Sequence, residues 1–206
     1  MKLDNIKSYV IHLRKRTDRY KLFTKELRGF KKDYEIFNAI RKTQGCWGTS
    51  ESFKSIIKKC KKEGYKQVLI FEDDVKFCSP KSKEKFQKAI DDLPKDWDIL
   101  LGGVYSLGNK NELKKGVVTD NLVKVTDFSS LHCTLINHTA YDYFLKHDYN
   151  KGMKHIDRFL GRESKKGNIS VYLTYPMVAI QHEGYSDNVK GNVNYKNLLK
   201  NFELLK

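Results

Sequence analysis

The chain has 206 residues, with 40 Lys and Arg against 25 Asp and Glu, a net charge of +15, and 39% hydrophobic residues. That is enough for one sizeable core and too apolar for a disordered chain, and no stretch reaches the ~20 apolar residues of a membrane span. The positive excess points to polyanions, whether nucleic acid, an anionic membrane surface or phosphorylated small molecules, although lysine runs such as IIKKCKKEGYK and KSKEKFQK fall at helical spacing and read as solvated helix faces.

In chain order, SYVIHL (8–13) is a short apolar run with β-branched residues and reads as a buried first strand. The basic loop RKRTDR follows, then a helix from about Asp18 to Arg28 that stops near Gly29. YEIFNA (34–39) reads as a second strand and RKTQGCWG as a loop. In TSESFKSIIKKCKKEG, Phe53, Ile56, Ile57 and Cys60 form one helical face, Thr49 or Ser50 is placed to cap the start, and Gly64 closes the end. QVLIFE (67–72) is a third strand, and Pro80 can start a helix that runs to about Asp92.

WDILLGG (97–103) reads as a strand that ends on two glycines. LVKVTDF (122–128) alternates as a half-exposed strand would, and HCTLIN (132–137) is a strand feeding the helix HTAYDYFLKH. HIDRFLGRESKK is a short helix, ISVYLTYP (169–176) a late strand, and NYKNLLKNFELLK a terminal amphipathic helix. Strands alternating with helices predict an α/β fold, a mostly parallel sheet flanked by helices. No Pro/Gly-rich break divides the chain, so residues 1–206 are expected to form a single domain. Cys46, Cys60, Cys78 and Cys133 are scattered with no CxxC pair, which argues against a zinc site and for free thiols. MKLDNIKSYVIHL lacks the apolar run of a signal peptide, so a soluble, cytoplasmic protein is expected, with peripheral attachment to an anionic membrane surface as a further option.

The informative stretch is VLIFEDDVKF (68–77), where an apolar strand runs into Glu72, Asp73 and Asp74. Like charges this close repel, so either protons or a cation must neutralise them. Oxygen-only donors favour Mg²⁺ or Mn²⁺. Extrapolating strand alternation puts Glu72 and Asp74 on one side and Asp73 on the other. Three chemistries fit a metal-binding acidic pair on a basic chain. One is transfer from a nucleotide sugar. A second is a metal-dependent nuclease, because Asp74-Val75-Lys76 has a (D/E)xK form; it also needs an upstream acid, for which Asp33 and Glu35 are the nearby options. A third is a non-enzymatic polyanion-binding module.

The ordered set of motifs decides among these. Ile11-His12-Leu13 with Asp18-Arg19, then LIFEDDVKF, WDILLGG, HCTLINHTAYDYFL, HIDRFL and YPMVAIQHEGYSDN cover about residues 8 to 188. In that order they resemble glycosyltransferase family 25, which includes lipooligosaccharide and procollagen galactosyltransferases. Thr49 and Phe53 stand where that family usually has Cys and His, and His12 where Asn or Ser is commoner.

The resemblance implies a GT-A-like fold and a metal-dependent, inverting transfer of a hexose, galactose or glucose, from a UDP-sugar donor with Mn²⁺ or Mg²⁺. The acceptor would be a hydroxyl on a glycan, a lipid-linked sugar or a hydroxylysine-type protein residue; nucleic acid is not an expected partner. Asp74 and Glu72 become the expected metal pair, with Asp73 bound through water or to the ribose. Arg19 is expected at the uracil, ribose or phosphate, with His12 or Leu13 framing the uracil. Gly102 and Gly103 would permit close approach of the donor sugar, and His132 would line its pocket. Asp157 is the expected base, His182 a late metal or diphosphate ligand, and Ser186 and Asp187 donor-phosphate contacts.

Overall fold

The computed structural model describes residues 1–108, 116–187 and 190–194. The expected terminal helix over 194–206 lies almost wholly outside them. The first part of the chain runs β1 (Lys7–His12), α1 (Thr17–Phe30), β2 (Glu35–Asn38), α2 (Gly45–Glu63), β3 (Gln67–Glu72), β4 (Val75–Phe77), α3 (Ser82–Asp91) and β5 (Ile99–Leu101). Short strands follow: β6 (Ser106–Leu107), β7 (Val117–Thr119), β8 (Leu122–Lys124) and β9 (Phe128–Ser129). Then come β10 (Cys133–Asn137), α4 (Tyr141–Lys146), α5 (Ile156–Lys165), β11 (Val171–Thr174), β12 (Ala179–Gln181), β13 (Gly184–Ser186) and β14 (Gly191–Val193).

Eight strands make one sheet in the order β2-β1-β3-β10-β5-β11-β8-β7. Six of the eight run one way, and β10 and β8 run against them. The expected α/β fold with a mostly parallel sheet is therefore what forms. Strand alternation sorts the apolar runs into two layers, which is why the sequence shows continuous apolar stretches rather than clean alternation. Tyr9, Ile11, Val68, Ile70, Ile99, Leu101, Val171 and Leu173 pack with Phe53, Ile56 and Ile57 of α2 and Leu160 of α5. Val10, Leu69, Phe71, Leu100, Leu135 and Tyr172 pack with Phe23, Leu27 and Phe30 of α1 and Phe86 of α3.

Several boundaries differ from expectation for local reasons. Helix α2 begins at Gly45, inside the expected loop, and no side chain caps it. Ser50 is therefore not a cap but a buried residue of the first turns, hydrogen-bonded to His147 Nδ1 at 2.6 Å. Gly64 does close the helix, at φ 76°. Pro80 precedes rather than opens α3. The four cysteines are free. Among the described residues, no helix is long and apolar enough to cross a membrane.

Gly102 and Gly103 follow β5. A Cβ on Gly102 would meet Cys133 Sγ at 2.6 Å, and one on Gly103 would meet the Ala179 carbonyl oxygen at 1.9 Å. The chain's own strands fill the room these glycines leave. Gly29, exposed in α1, has nothing within 4 Å of the same position. Gly103→Ala is therefore expected to cost about 1–3 kcal/mol through overpacking, whereas Gly29→Ala gains a few tenths to about 1 kcal/mol; urea unfolding of the two variants checks the opposite signs.

Candidate functional site

The topology places a crevice at the carboxyl end of β1. From β1 the chain moves to β2 on one side and then to β3 on the other. Such a reversal leaves a gap where α/β sheets bind ligands. A cavity of about 350 Å³ opens there. Ile11 and Leu13 reach it from the end of β1, Ala39 and Ile40 from beyond β2, and Glu72, Asp73 and Asp74 from the end of β3. The start of α2 closes one side with Gly45, Gly48, Thr49 and Ser52, and Tyr185, Ser186 and Asp187 close another. Lys15, Arg19, Arg41, Lys42 and Lys190 complete the wall. One cavity thus combines an acidic floor with a basic rim.

The chain turns at Asp73 and Asp74 to enter β4, so strand phase does not extend to Asp74. Asp73 faces α1, where Oδ2 lies 2.8 Å from His12 Nδ1 and Oδ1 accepts from Arg19 Nη1 at 2.7 Å. Asp74 meets the same guanidinium, at 3.2 Å from Arg19 Nη1. The expected separation of Asp73 from Asp74 is therefore wrong: the turn brings both carboxylates onto one arginine. Gln181 donates to Asp74 Oδ1 at 3.3 Å. It is held there because β12 pairs antiparallel with β4, setting Gln181 opposite Val75. The ribbon also lets the His182 backbone N–H donate to the Asp74 carbonyl at 2.7 Å.

Charge balance in this floor is incomplete. Burial, then the charges of Asp74, Asp157 and Asp73, push the Glu72 carboxyl well above the ordinary carboxylate range. Burial also raises Asp74, and the Arg19 charge only partly offsets it. Burial works against the charge of Arg19, but Asp74 and Asp73 outweigh it and the guanidinium pKa is raised. One arginine faces three carboxylates, and among the described residues no hydrogen bond or ion pair reaches the Glu72 carboxylate. Among the described residues, no group of three or more His, Cys, Asp or Glu side chains is set to hold a metal ion. The donor chemistry of Glu72 and Asp74 nonetheless suits a hard divalent cation, because both are oxygen donors whose ionised forms lack sufficient positive charge.

The remaining expected residues divide. Leu13, Arg19, Asp73 and Ser186 line the cavity with Glu72 and Asp74. His12 stands behind Asp73, packed edge-on against Phe23 of α1 with ring centroids 5.2 Å apart. The His182 ring lies against Glu26, with Nε2 3.3 Å from Oε1, rather than against Glu72 or Asp74. Gly102 and Gly103 are taken up by packing, as described above. Asp157 accepts from the Ser130 N–H at 2.7 Å and from the Arg158 N–H at 2.8 Å, and its charge bears on Glu72. His132 is fully buried.

Sequence reading missed Lys15, Arg41, Lys42, Gln181, Tyr185 and Lys190. Arg41 and Lys42 open a glycine-containing loop after a strand end, and that was the available signal. The last wall is strapped down from the start of α1: Arg16 Nη1 donates to Asp187 Oδ2 at 2.8 Å and Arg19 Nη2 to the Tyr185 carbonyl at 3.0 Å.

No protein-family model matches the sequence, and no curated protein matches it significantly. Solved structures do resemble it. A glycosyltransferase involved in the glycosylation of the major capsid of PBCV-1 superposes with a TM-score of 0.55 at 10% identity, over 94% of this chain and 98% of that one. The fold is GT-A-like. A197 from STIV gives 0.48 at 12% identity over 91% and 93% of the two chains, and a UDP-glucose pyrophosphorylase complexed with UDP-glucose gives 0.48 at 8% over 82% and 72%. The fold assignment rests on the first of these. The narrower likeness to family 25 rests on the motifs alone.

The raised carboxyl of Glu72 has a measurable sign. The folded state holds a proton there more tightly than the unfolded chain, so the group's stabilisation is present at acid pH and is lost as pH rises from the ordinary carboxylate range toward neutrality. In metal-free buffer the wild type is expected to lose melting temperature over that interval relative to Glu72→Gln, which lacks the titrating group. Parallel melting curves across pH 4 to 8 check this.

Proposed function

We propose that the protein is a nucleotide-sugar glycosyltransferase that moves a hexose from a UDP-sugar to a hydroxyl acceptor. The observation that carries this reading is the polarity of the crevice at the carboxyl end of β1: an acidic floor of Glu72, Asp73 and Asp74 beside a rim of Lys15, Arg19, Arg41, Lys42 and Lys190. A metal-bound diphosphate matches that polarity, because it presents a cation to the floor and anionic oxygens to the rim. The GT-A-like fold supports the same reading, and the ordered motifs favour a family 25-like transferase.

Glu72 and Asp74 would hold Mn²⁺ or Mg²⁺, which supplies charge neutralisation of the departing diphosphate when bound. Arg19, Lys15, Arg41 and Lys42 line the cavity and would bind the phosphates, with Leu13 and Ile11 receiving the base. A ligand role for His182 requires its ring to leave Glu26. Asp157, held by two backbone N–H groups, serves as the base: it takes the acceptor hydroxyl proton while the new C–O bond forms at the anomeric carbon and the bond to the diphosphate oxygen breaks. The acceptor is a hydroxyl on a glycan, a lipid-linked sugar or a hydroxylysine-type side chain, and an anionic membrane surface would suit the +15 charge.

The nuclease reading needs an upstream acid on a neighbouring strand brought close to Asp74. Glu35 instead pairs with Lys7 and with Lys59, and Asp33 and Glu35 line a different surface depression. That leaves the transferase favoured.

UDP release from UDP-galactose or UDP-glucose is expected to require Mn²⁺ or Mg²⁺ and to fall at least about 10²-fold in Asp74→Ala; unchanged turnover by that variant refutes the metal assignment. Asp157→Asn should retain the donor-induced thermal shift and lose transfer, and surviving transfer would place the base elsewhere.

A further inference from the structure

Behind the cavity floor lies a buried polar chain that the reading above does not use. Ser130 Oγ sits 2.5 Å from His132 Nδ1 and donates to Gln181 Oε1 at 3.1 Å, and Gln181 Nε2 donates to Asp74 Oδ1. The Ser130 backbone N–H donates to Asp157 Oδ2 at 2.7 Å. Ser130, His132, Gln181 and Asp74 are all at most 9% exposed.

The direction of the chain follows from its members. The Asp74 carboxylate accepts only, so the Gln181 amide must turn its NH₂ toward Asp74 and its oxygen toward Ser130. The single Ser130 hydroxyl proton then goes to Gln181. That leaves the Ser130 oxygen to accept from His132, which must carry its proton on Nδ1. Burial favours the neutral ring this requires, pulling its pKa down to about 4. The bonds from His132 Nδ1 to Asp74 are thereby given one direction, while the buried His132 Nε2 has no hydrogen-bond partner among the described residues, and the last bond bears on which way the Asp74 carboxylate faces.

Ser130 also has φ 98°, a left-handed conformation unusual for a residue with a side chain. Such strain persists only where the surroundings over-determine it. Here the strained backbone aims one N–H at Asp157 while the side chain of the same residue serves Asp74.

We infer that Ser130 is a positioning residue that, with Gln181 and His132, locks Asp74 and Asp157 into one frame, so that the group proposed to bind the metal and the group proposed to take the proton are set against each other by a single serine. This rests on the transferase reading of the site. Residues that orient a ligating carboxylate typically change metal affinity or activity about 10- to 100-fold when lost.

The test is steady-state UDP release from UDP-glucose and UDP-galactose with Mn²⁺, together with melting temperatures, for Ser130→Gly, Gln181→Met and the double variant. Ser130→Gly removes the hydroxyl and relieves the left-handed strain, so it keeps the fold. A drop in kcat of about 10- to 100-fold with donor KM unchanged, and a double variant no worse than the weaker single because both cut one chain, support the inference. Wild-type kcat in Ser130→Gly while Asp74→Ala is inactive overturns it and leaves the transferase reading standing. A lowered melting temperature with kcat untouched overturns it too, because the chain would then be structural only. No UDP release by the wild type overturns both readings.

Discussion

The three carboxylates at the end of β3 are the constraint around which the crevice is organised. A buried strand that ends in Glu72, Asp73 and Asp74 must find compensating charge within a few ångströms, because repulsion there is poorly screened. The chain meets part of that demand with Arg19, whose guanidinium contacts Asp73 and Asp74, while His12 Nδ1 hydrogen-bonds Asp73. Arg19 in turn holds the Tyr185 carbonyl, and its neighbour Arg16 holds Asp187. The end of the loop after β1 and the first turn of α1 therefore do two things: Arg19 partly neutralises the floor, and Arg16 and Arg19 fasten the last wall of the cavity.

Burial leaves Glu72 and Asp74 short of compensating positive charge. The crevice thus sets the carboxyl groups of Glu72, Asp73 and Asp74 beside the cations of Lys15, Arg41, Lys42 and Lys190. This local polarity is more informative than the net charge, since among the described lysines only Lys15, Lys42 and Lys190 line the crevice.

Legibility varied with the range of the interaction. Strands β1, β3 and β10 were readable because each is a run of apolar residues long enough to be buried on both faces. Gly64 was readable because a left-handed helix end needs a glycine. The start of α2 was not, because Gly45 to Gly48 carry no helical signal and are held by packing: a Cβ at Gly48 would lie 2.4 Å from the Ile40 carbonyl oxygen. Ser50 looks like a cap in one dimension and is a buried partner of His147 in three. Gly102 and Gly103 look like a ligand-facing pair and instead admit Cys133 and Ala179.

By itself, the sequence determined the α/β class, the strand that delivers the carboxylates, and Arg19 as a residue of the site, since these follow from hydrophobic period and from motifs a few residues long. Only the tertiary structure decided how the carboxylates are shared. The turn after Glu72 cancels strand alternation, so Asp73 and Asp74 meet on one guanidinium. The pairing of β12 with β4 brings Gln181 to Asp74 from 107 residues away. Contacts of that separation are set by which strands neighbour one another in the sheet, and no local pattern of residues records that choice.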